Sequence, residues 1–324
     1  MRKLIIAFAL ICAGGLAHAQ SGNDMRTLQD DRGRTVSIPE NPKRIVVLQE
    51  PILGVPILEL GRDIVGSYGR NDDGSSMLRV DFIQSVLGKD GKALGIGGIG
   101  PIGNLDLEKL RALKPDLIIG GESDEDKADL LSSVAPVYLQ NIRTPDITGF
   151  ITQQKLADLL GAQQQYQALW DGYQKQIEDV RAHLPGNPDG KTYMAVIIHD
   201  TINMVTNKSG AVQAIEDLGY HRLEIDGTGK ASGYGQGFSV PLSSEQFARL
   251  NPDLLIVMNS YVSADRSEET IRKRLDVIVP GWNRFLRPEK EGRIVFVDSV
   301  KVSTPTIASA RHTLDAISDW AASR

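Results

Sequence analysis

Cysteine is all but missing: the one in 324 residues, Cys12, lies in an apolar run near the N-terminus. Disulfides within the chain, cysteine nucleophiles and thiolate metal centres are excluded with it. Histidine is scarce too. Four of the five, His183, His199, His221 and His312, follow that run without clustered spacing, so a bare metal ion, which needs three or four converging ligands, finds little to draw on. Positive charge is in deficit, with Lys and Arg at 36 against Asp and Glu at 41. Nucleic acid is therefore not an expected partner, and an anionic ligand would need local basic groups. The chain contains no G-x-S-x-G and no H-E-x-x-H, the local signatures of serine hydrolases and zinc proteases.

What the first residues do contain is a short basic start, MRK, the apolar run LIIAFALICAGGL and the small-x-small triplet Ala17-His18-Ala19. That is the grammar of a removable secretory signal over residues 1–19, with an apolar run well short of the roughly 20 residues of a membrane span. Cutting after Ala19 removes Arg2 and Lys3, shifts the net charge from −5 to −7, and leaves about 305 residues, enough for two domains of ~100 to 200 each. The expected product is exported to the periplasm, soluble and free of cysteine. Its core alone must hold it together.

β-Branched runs alternate with helical patterns along both halves. RIVVL (44–48), IVGSY (64–68) and PVYLQ (136–140) read as strands in the first half; YMAVII (193–198), INMVT (202–206) and RIVFV (293–297) read as strands in the second. PILELG (56–61), LRVDFIQSVLG (78–88) and AVQAIEDLG (211–219) read as helices closed by glycine, and a last helix is expected from about Thr306 to Ala322. Between the halves Tyr166, Leu169, Trp170, Tyr173, Ile177, Val180 and Leu184 recur every three or four residues, marking one long amphipathic helix bounded by Gly161 and Pro185-Gly186. The expected fold is α/β: an N-terminal lobe (20–145), a helical segment (146–186) and a similar C-terminal lobe (187–324), each lobe on a mainly parallel sheet. A single stiff helix is a poor hinge, so small lobe movements are expected.

The most informative feature is a phrase said twice. LDLEKLRALKPDLII (105–119) returns as LSSEQFARLNPDLLI (242–256), 137 residues later, keeping Glu108/Glu245, Leu113/Leu250, Pro115/Pro252 and Asp116/Asp253. Asp106 and Ser243 are good N-caps, and Ser243 with Gln246 fits a capping box. Each glutamate then lies in a first turn, turned away from Leu110 or Phe247, and is expected to be exposed. An acid there complements the helix dipole. Two equivalent acids on two similar lobes also match a two-fold partner.

The leader, the phrase E-x-L-x-x-L-x-P-D-L-I-I with its weaker copy, and the helix between the lobes resemble the periplasmic binding proteins of ABC importers for ferric siderophores, haem and cobalamin. The resemblance runs from about Arg34 to Trp320. It implies a ligand cleft between two rigid lobes, a monomer that carries no cofactor of its own, and docking onto a permease dimer through a glutamate of each lobe, which fall at Glu108 and Glu245.

Loops at strand ends supply the ligand-contact candidates: Gln49, Tyr68, Arg70, Glu122 and Ser123 in the first lobe, and His199, Lys208, Tyr234, Phe238, Asn259 and Tyr261 in the second. Aromatic groups would stack on a planar chelate, and Arg70 or Lys208 would offset its negative charge. Serines, Ser123 and Ser260, stand where the resemblance leads one to expect arginines in carriers of strongly anionic catecholates, so hydroxamate or mixed carboxylate siderophores fit equally well. Haem, with Tyr234 or His199 as axial ligand, cobalamin and direct metal binding are the alternatives within the class. Two further readings are weaker: Gly95-x-Gly97-x-x-Gly100 as a dinucleotide fingerprint, which Pro101 and Gly103 argue against, and an exported enzyme using His199 beside Asp200.

Overall fold

The computed structural model describes residues 24–223 and 238–324; the leader, Tyr234 and most of the second glycine-rich loop lie outside them. It begins with a hairpin that the sequence reading did not anticipate, β1 (Met25–Gln29) antiparallel to β2 (Thr35–Pro39). The turn is set by Asp30, whose carboxylate accepts the backbone N–H groups of Arg32 and Arg34, and by Gly33 at φ 74°.

The N-terminal lobe then runs β3 (Ile45–Val47), α1 (Val55–Glu59), β4 (Ile64–Ser67), α2 (Phe82–Leu87), β5 (Gly97–Gly98), α3 (Leu107–Ala112), β6 (Leu117–Gly121), α4 (Ala128–Ser132) and β7 (Val137–Gln140). Its five strands lie in the order β5-β4-β3-β6-β7, all parallel. Capping makes the short helices legible: Asp81 accepts the Gln84 N–H at the start of α2, and Gly88 closes it at φ 66°.

Helix α5 (Ile151–Leu159) leads into α6 (Gln163–His183), the expected long helix, whose 21 residues rise about 31 Å. Near its start Tyr166 and Leu169 pack on the core of the N-terminal lobe, while Tyr173, Ile177 and Val180 are buried in the core of the C-terminal lobe. One helix thus belongs to both cores.

The C-terminal lobe comprises β8 (Thr192–Ile198), β9 (Ile202–Val205), α7 (Gly210–Asp217), β10 (His221–Arg222), β11 (Ser239–Leu242), α8 (Ser244–Ala248), β12 (Leu254–Asn259), α9 (Glu268–Ile278), α10 (Trp282–Phe285), α11 (Arg287–Lys290), β13 (Ile294–Val297), α12 (Ser299–Val302) and α13 (Ile307–Ala322). Its sheet runs β11-β9-β8-β12-β13, with β10 beside the start of β8. The INMVT strand departs from a purely parallel sheet: β9 is antiparallel to both neighbours, because only three residues separate it from β8 and a tight hairpin cannot make a parallel crossover.

The repeated phrase falls in equivalent places. Leu117 of β6 pairs with Ile45 on β3, and Leu254 of β12 pairs with Tyr193 on β8, so the echo supplies the strand beside the central one in each lobe. Leu113, which closes α3, lies over Gly66 and Gly97; a Cβ on Gly97 would come within 2.9 Å of its side chain, and one on Gly66 closer still. Those glycines serve packing rather than phosphate binding. Gly97 and Gly98 form strand β5 and no helix begins until Leu107, which removes the dinucleotide reading.

Candidate ligand cleft

Strand order locates the crevices. In each lobe the order reverses beside the central strand, between β3 and β6 and between β8 and β12, and ligands of open α/β sheets sit beyond the carboxyl ends of strands at such a reversal. Gln49 and Glu122 follow the first pair of strands; His199 and Ser260 follow the second.

Between the lobes lies a cleft of about 480 Å³, within the range of small-molecule sites. One wall comes from Ile52, Ile142, Arg143, Ile147, Thr148, Gly149 and Thr152, at the carboxyl edge of the first lobe and the start of α5. The other comes from Lys208, Phe238, Ser303 and Pro305. The lining is mostly apolar, with one cation on each side. A smaller pocket of about 30 Å³, at the ends of β3 and β4, is lined by Gln49, Tyr68, Leu78, Phe82 and Ile102 among others.

Of the expected contact residues, Lys208 and Phe238 reach the cleft wall, Gln49 and Tyr68 the smaller pocket. Lys208 is already half committed: its Nζ donates to the carbonyls of Thr144 at 2.6 Å and Ile147 at 2.8 Å, and desolvation holds its pKa below the ordinary lysine value. It therefore ties the second lobe to the segment before α5, a tie repeated by the Gly149 N–H donating to Asn207 O at 2.9 Å. Phe238 heads an aromatic file, with its ring 6.0 Å from Tyr261, which in turn stands 5.1 Å from the ring of His199. His199 Nδ1 lies 2.8 Å from Ser260 Oγ, and burial lowers the basicity of the ring. Asp200 turns instead to Arg274, its carboxylate side chain 96% exposed, so the neighbouring histidine and aspartate make no acid–base pair.

Tyr68 is buried, with no hydrogen-bond partner for its hydroxyl among the described residues; desolvation, and then the charge of Asp124, push its pKa up to about 12. A neutral phenol with an unspent donor faces this pocket.

Three expected contacts are engaged within the fold. Arg70 is 1% exposed; its guanidinium is held by Glu50 at 2.5 and 2.8 Å, by Asp81 at 3.0 Å and by the Gly74 carbonyl, leaving nothing to offer a ligand. Glu122 accepts the backbone N–H groups of Ile142 and Arg143, and Asn259, also buried, joins β12 to α12 by accepting the Ser299 N–H at 2.9 Å. Ser123 is exposed on the turn after β6, and Tyr234 lies outside the described residues.

The residue the sequence reading passed over is Arg143. It follows β7 as the other candidates follow their strands, so the same rule would have found it. Among the described residues no hydrogen bond or close ion pair holds its guanidinium, which feels the charge of Asp124 only at longer range, so it is the less committed cation of the cleft.

Glu108 and Glu245 stand in the first turns of α3 and α8, with side chains 84% and 73% exposed. Each pairs with an arginine of its own helix, Arg111 at 2.8 Å and Arg249 at 2.5 Å. The strand β11, antiparallel to β9 and so aligned with β8, starts α8 on the carboxyl side of its sheet; α3 likewise follows the parallel strand β5. Both acids thus belong to the ligand-facing edges of their lobes.

Two α/β lobes with strand-order reversals facing one cleft, held by a shared helix, define a solute-binding architecture. The chain belongs to the periplasmic binding protein family, whose model matches residues 85–298. Among curated relatives, YhfQ of Bacillus subtilis (strain 168), named for the substrate-binding lipoprotein of an ABC transporter, is 22% identical over 298 residues, covering 91% of this chain and 88% of the relative. The Fe(3+)-citrate-binding protein YfmC of the same organism is 25% identical over 267 residues, 78% of this chain and 77% of the relative. Among solved structures, the FhuD protein from S. pseudintermedius superposes with a TM-score of 0.66 at 20% identity, covering 92% of this chain and 98% of that one. That likeness is one of fold.

Proposed function

We propose that this protein captures a ferric siderophore or similar iron chelate in the interlobe cleft and presents it to an ABC permease dimer. The observation that carries the reading is the cleft itself: a mostly apolar space of about 480 Å³ with Lys208 and Arg143 on opposite walls suits a bulky chelate of modest negative charge better than a bare ion. Among the described residues no three His, Cys, Asp or Glu side chains stand together to hold a metal. Names of relatives such as the Fe(3+)-citrate-binding protein YfmC point the same way. Two cations in a roomy apolar cleft fit hydroxamate or carboxylate chelates, whose charge is lower than that of catecholates. Export by a leader cut after Ala19 would place the protein in the periplasm, with the exposed Glu108 and Glu245 able to exchange their own-helix arginines for cations on the two permease subunits. Rim charges of this kind steer encounter and fix register more than they add affinity.

The test is a titration of purified protein with ferric hydroxamates, ferric citrate, ferric catecholates, haem, cobalamin and divalent metals, followed by the fluorescence of Trp170, Trp282 and Trp320. Saturable change with a ferric chelate is expected. A response to free metal ions alone would overturn the ligand, and turnover of any of these compounds would overturn the class.

A further inference from the structure

Behind the cleft the two lobes also meet beside a half-buried acid. Glu59 ends α1 in the N-terminal lobe; its Oε2 accepts the side-chain N–H of Gln153 on α5 at 2.7 Å, and the backbone N–H of Ala308 lies near enough to favour its charged form. Gln153, fully buried, passes the connection on by accepting the Ile307 N–H through Oε1 at 3.1 Å. Ile307 and Ala308 open α13, a 16-residue helix whose Ile307, Ala310, Leu314 and Ile317 are core residues of the C-terminal lobe, while Ala308 packs on the core of the N-terminal lobe. First-turn N–H groups have no partner within their own helix. The carboxylate of the first lobe thus reaches the second through its glutamine relay, which satisfies one of them, the Ile307 N–H.

This seam adjoins the ligand space. Thr152 and Pro305, in the cleft walls, are the immediate chain neighbours of Gln153 and of Thr306, the N-cap of α13. A loosened seam would shift both walls.

We propose that closing this seam takes up a proton at Glu59, so that the lobes are held together more firmly in mildly acidic than in alkaline medium. The closed seam strips water from the carboxylate, and desolvation, outweighing the Gln153 bond, the nearby Ala308 N–H and the charges of Arg311 and Lys89, raises its pKa from 4.5 to about 7. An opened seam would rehydrate it and return it toward the ordinary value. Because the closed form binds the proton more tightly, closure is favoured fully below pH 4.5, and that advantage is lost as pH rises through 7. The surrounding groups have been placed: Arg311 on α13 also donates to Gln176 of α6, Lys89 donates to the Leu58 carbonyl, Tyr166 of α6 faces Glu59 and Asp158, and His312 bonds the Val86 carbonyl at 2.9 Å.

Hydrogen exchange of the Ile307 and Ala308 amides reads the seam directly. Corrected for intrinsic exchange, their protection is expected to fall about tenfold between pH 6 and pH 8.5 in the unmodified protein, and to stay constant across that range in Glu59→Gln, which keeps the shape and cannot ionise. The same fall in Glu59→Gln, or none in the unmodified protein, would overturn the proposal. Carboxyl titration of Glu59 in the unmodified protein gives a second readout independent of folding of the variant: a midpoint near 4.5 would also overturn it. The measurement needs no ligand, so it stands whatever the cleft carries.

Discussion

Asp253 Oδ2 accepts the backbone N–H of Thr192 at 2.8 Å, pinning the chain where it enters β8, and Asp116 does the same for Arg44 at 2.8 Å where it enters β3. The aspartate of the repeated phrase is thus a clamp between the echoed strand and the central strand, made once per lobe. Partial burial works against the charge of Asp253, but the Thr192 N–H and hydroxyl outweigh it and hold the carboxyl below its ordinary value of 3.8. A depressed pKa contributes stability that is present above about pH 4 and lost as pH falls through the folded value. Asp253→Ala should therefore lower stability by about 1 kcal/mol at neutral pH and by less below pH 3, read by urea denaturation at both.

Arg70 supplies a harsher test. It is buried between Glu50 and Asp81, and burial already raises the pKa of Glu50. Arg70→Met would leave two carboxylates near a low-dielectric interior without a counter-charge, at a cost of about 3–5 kcal/mol. A shift of less than 1 kcal/mol in the denaturation free energy would show that the guanidinium is not needed there.

The same residue shows where reading from sequence stops. Some helix boundaries were legible because their signals are local: Asp106 and Ser243 cap as their spacing predicts, and the apolar recurrence bounded by Gly161 and Pro185 finds α6 within a residue or two, whereas α2 starts at Phe82, four residues later than its apolar pattern suggests. Exposure of Glu108 and Glu245 followed from helix geometry alone. The buried pairing of Arg70 was not legible because its partners, Glu50 and Asp81, lie 20 residues before and 11 after it, and nothing local distinguishes an arginine at a rim from one in a buried network. The backbone partners of Glu122 and Asn259 were hidden for the same reason, since a strand-end position says where the backbone is and not which N–H the side chain will accept from. The cleft partners of Lys208 depend on how two lobes meet, which no window of sequence encodes.

Glu108 and Glu245 should be nearly silent in the isolated protein. Each makes an exposed pair within its own helix, worth about 0.3–0.5 kcal/mol. Glu108→Ala with Glu245→Ala should leave ferric chelate affinity within a factor of two of the unmodified protein while reducing uptake of labelled iron in cells. Undiminished uptake by the double variant would remove their docking role.

Arg143 and Lys208 should separate in their effects. No hydrogen bond or close ion pair holds the Arg143 side chain among the described residues, so Arg143→Ala should weaken chelate binding about tenfold with stability nearly unchanged. Lys208→Ala loses both binding and the bonds to Thr144 and Ile147, so its denaturation midpoint should fall as well. Parallel titrations and melts of the two variants decide between a ligand cation and a structural one.

Tyr68 makes the sharpest distinction between folding and function. Its hydroxyl is buried without a partner among the described residues, an arrangement that costs the fold and gives it nothing in return. Tyr68→Phe removes that unsatisfied group and keeps the ring, so the melting temperature should hold or rise. If the phenol donates to bound cargo, the same change should weaken chelate affinity by about five- to tenfold, one hydrogen bond's worth. With its pKa pushed up to about 12 the hydroxyl of the unloaded protein stays protonated through the physiological range, so it would donate to a ligand oxygen unless ferric iron displaces that proton. Visible spectra of the loaded protein check this second half: a phenolate-to-iron charge-transfer band present in the unmodified protein and lost in Tyr68→Phe would mean that the tyrosine enters the coordination sphere and that the metal does not travel wholly inside its own chelate.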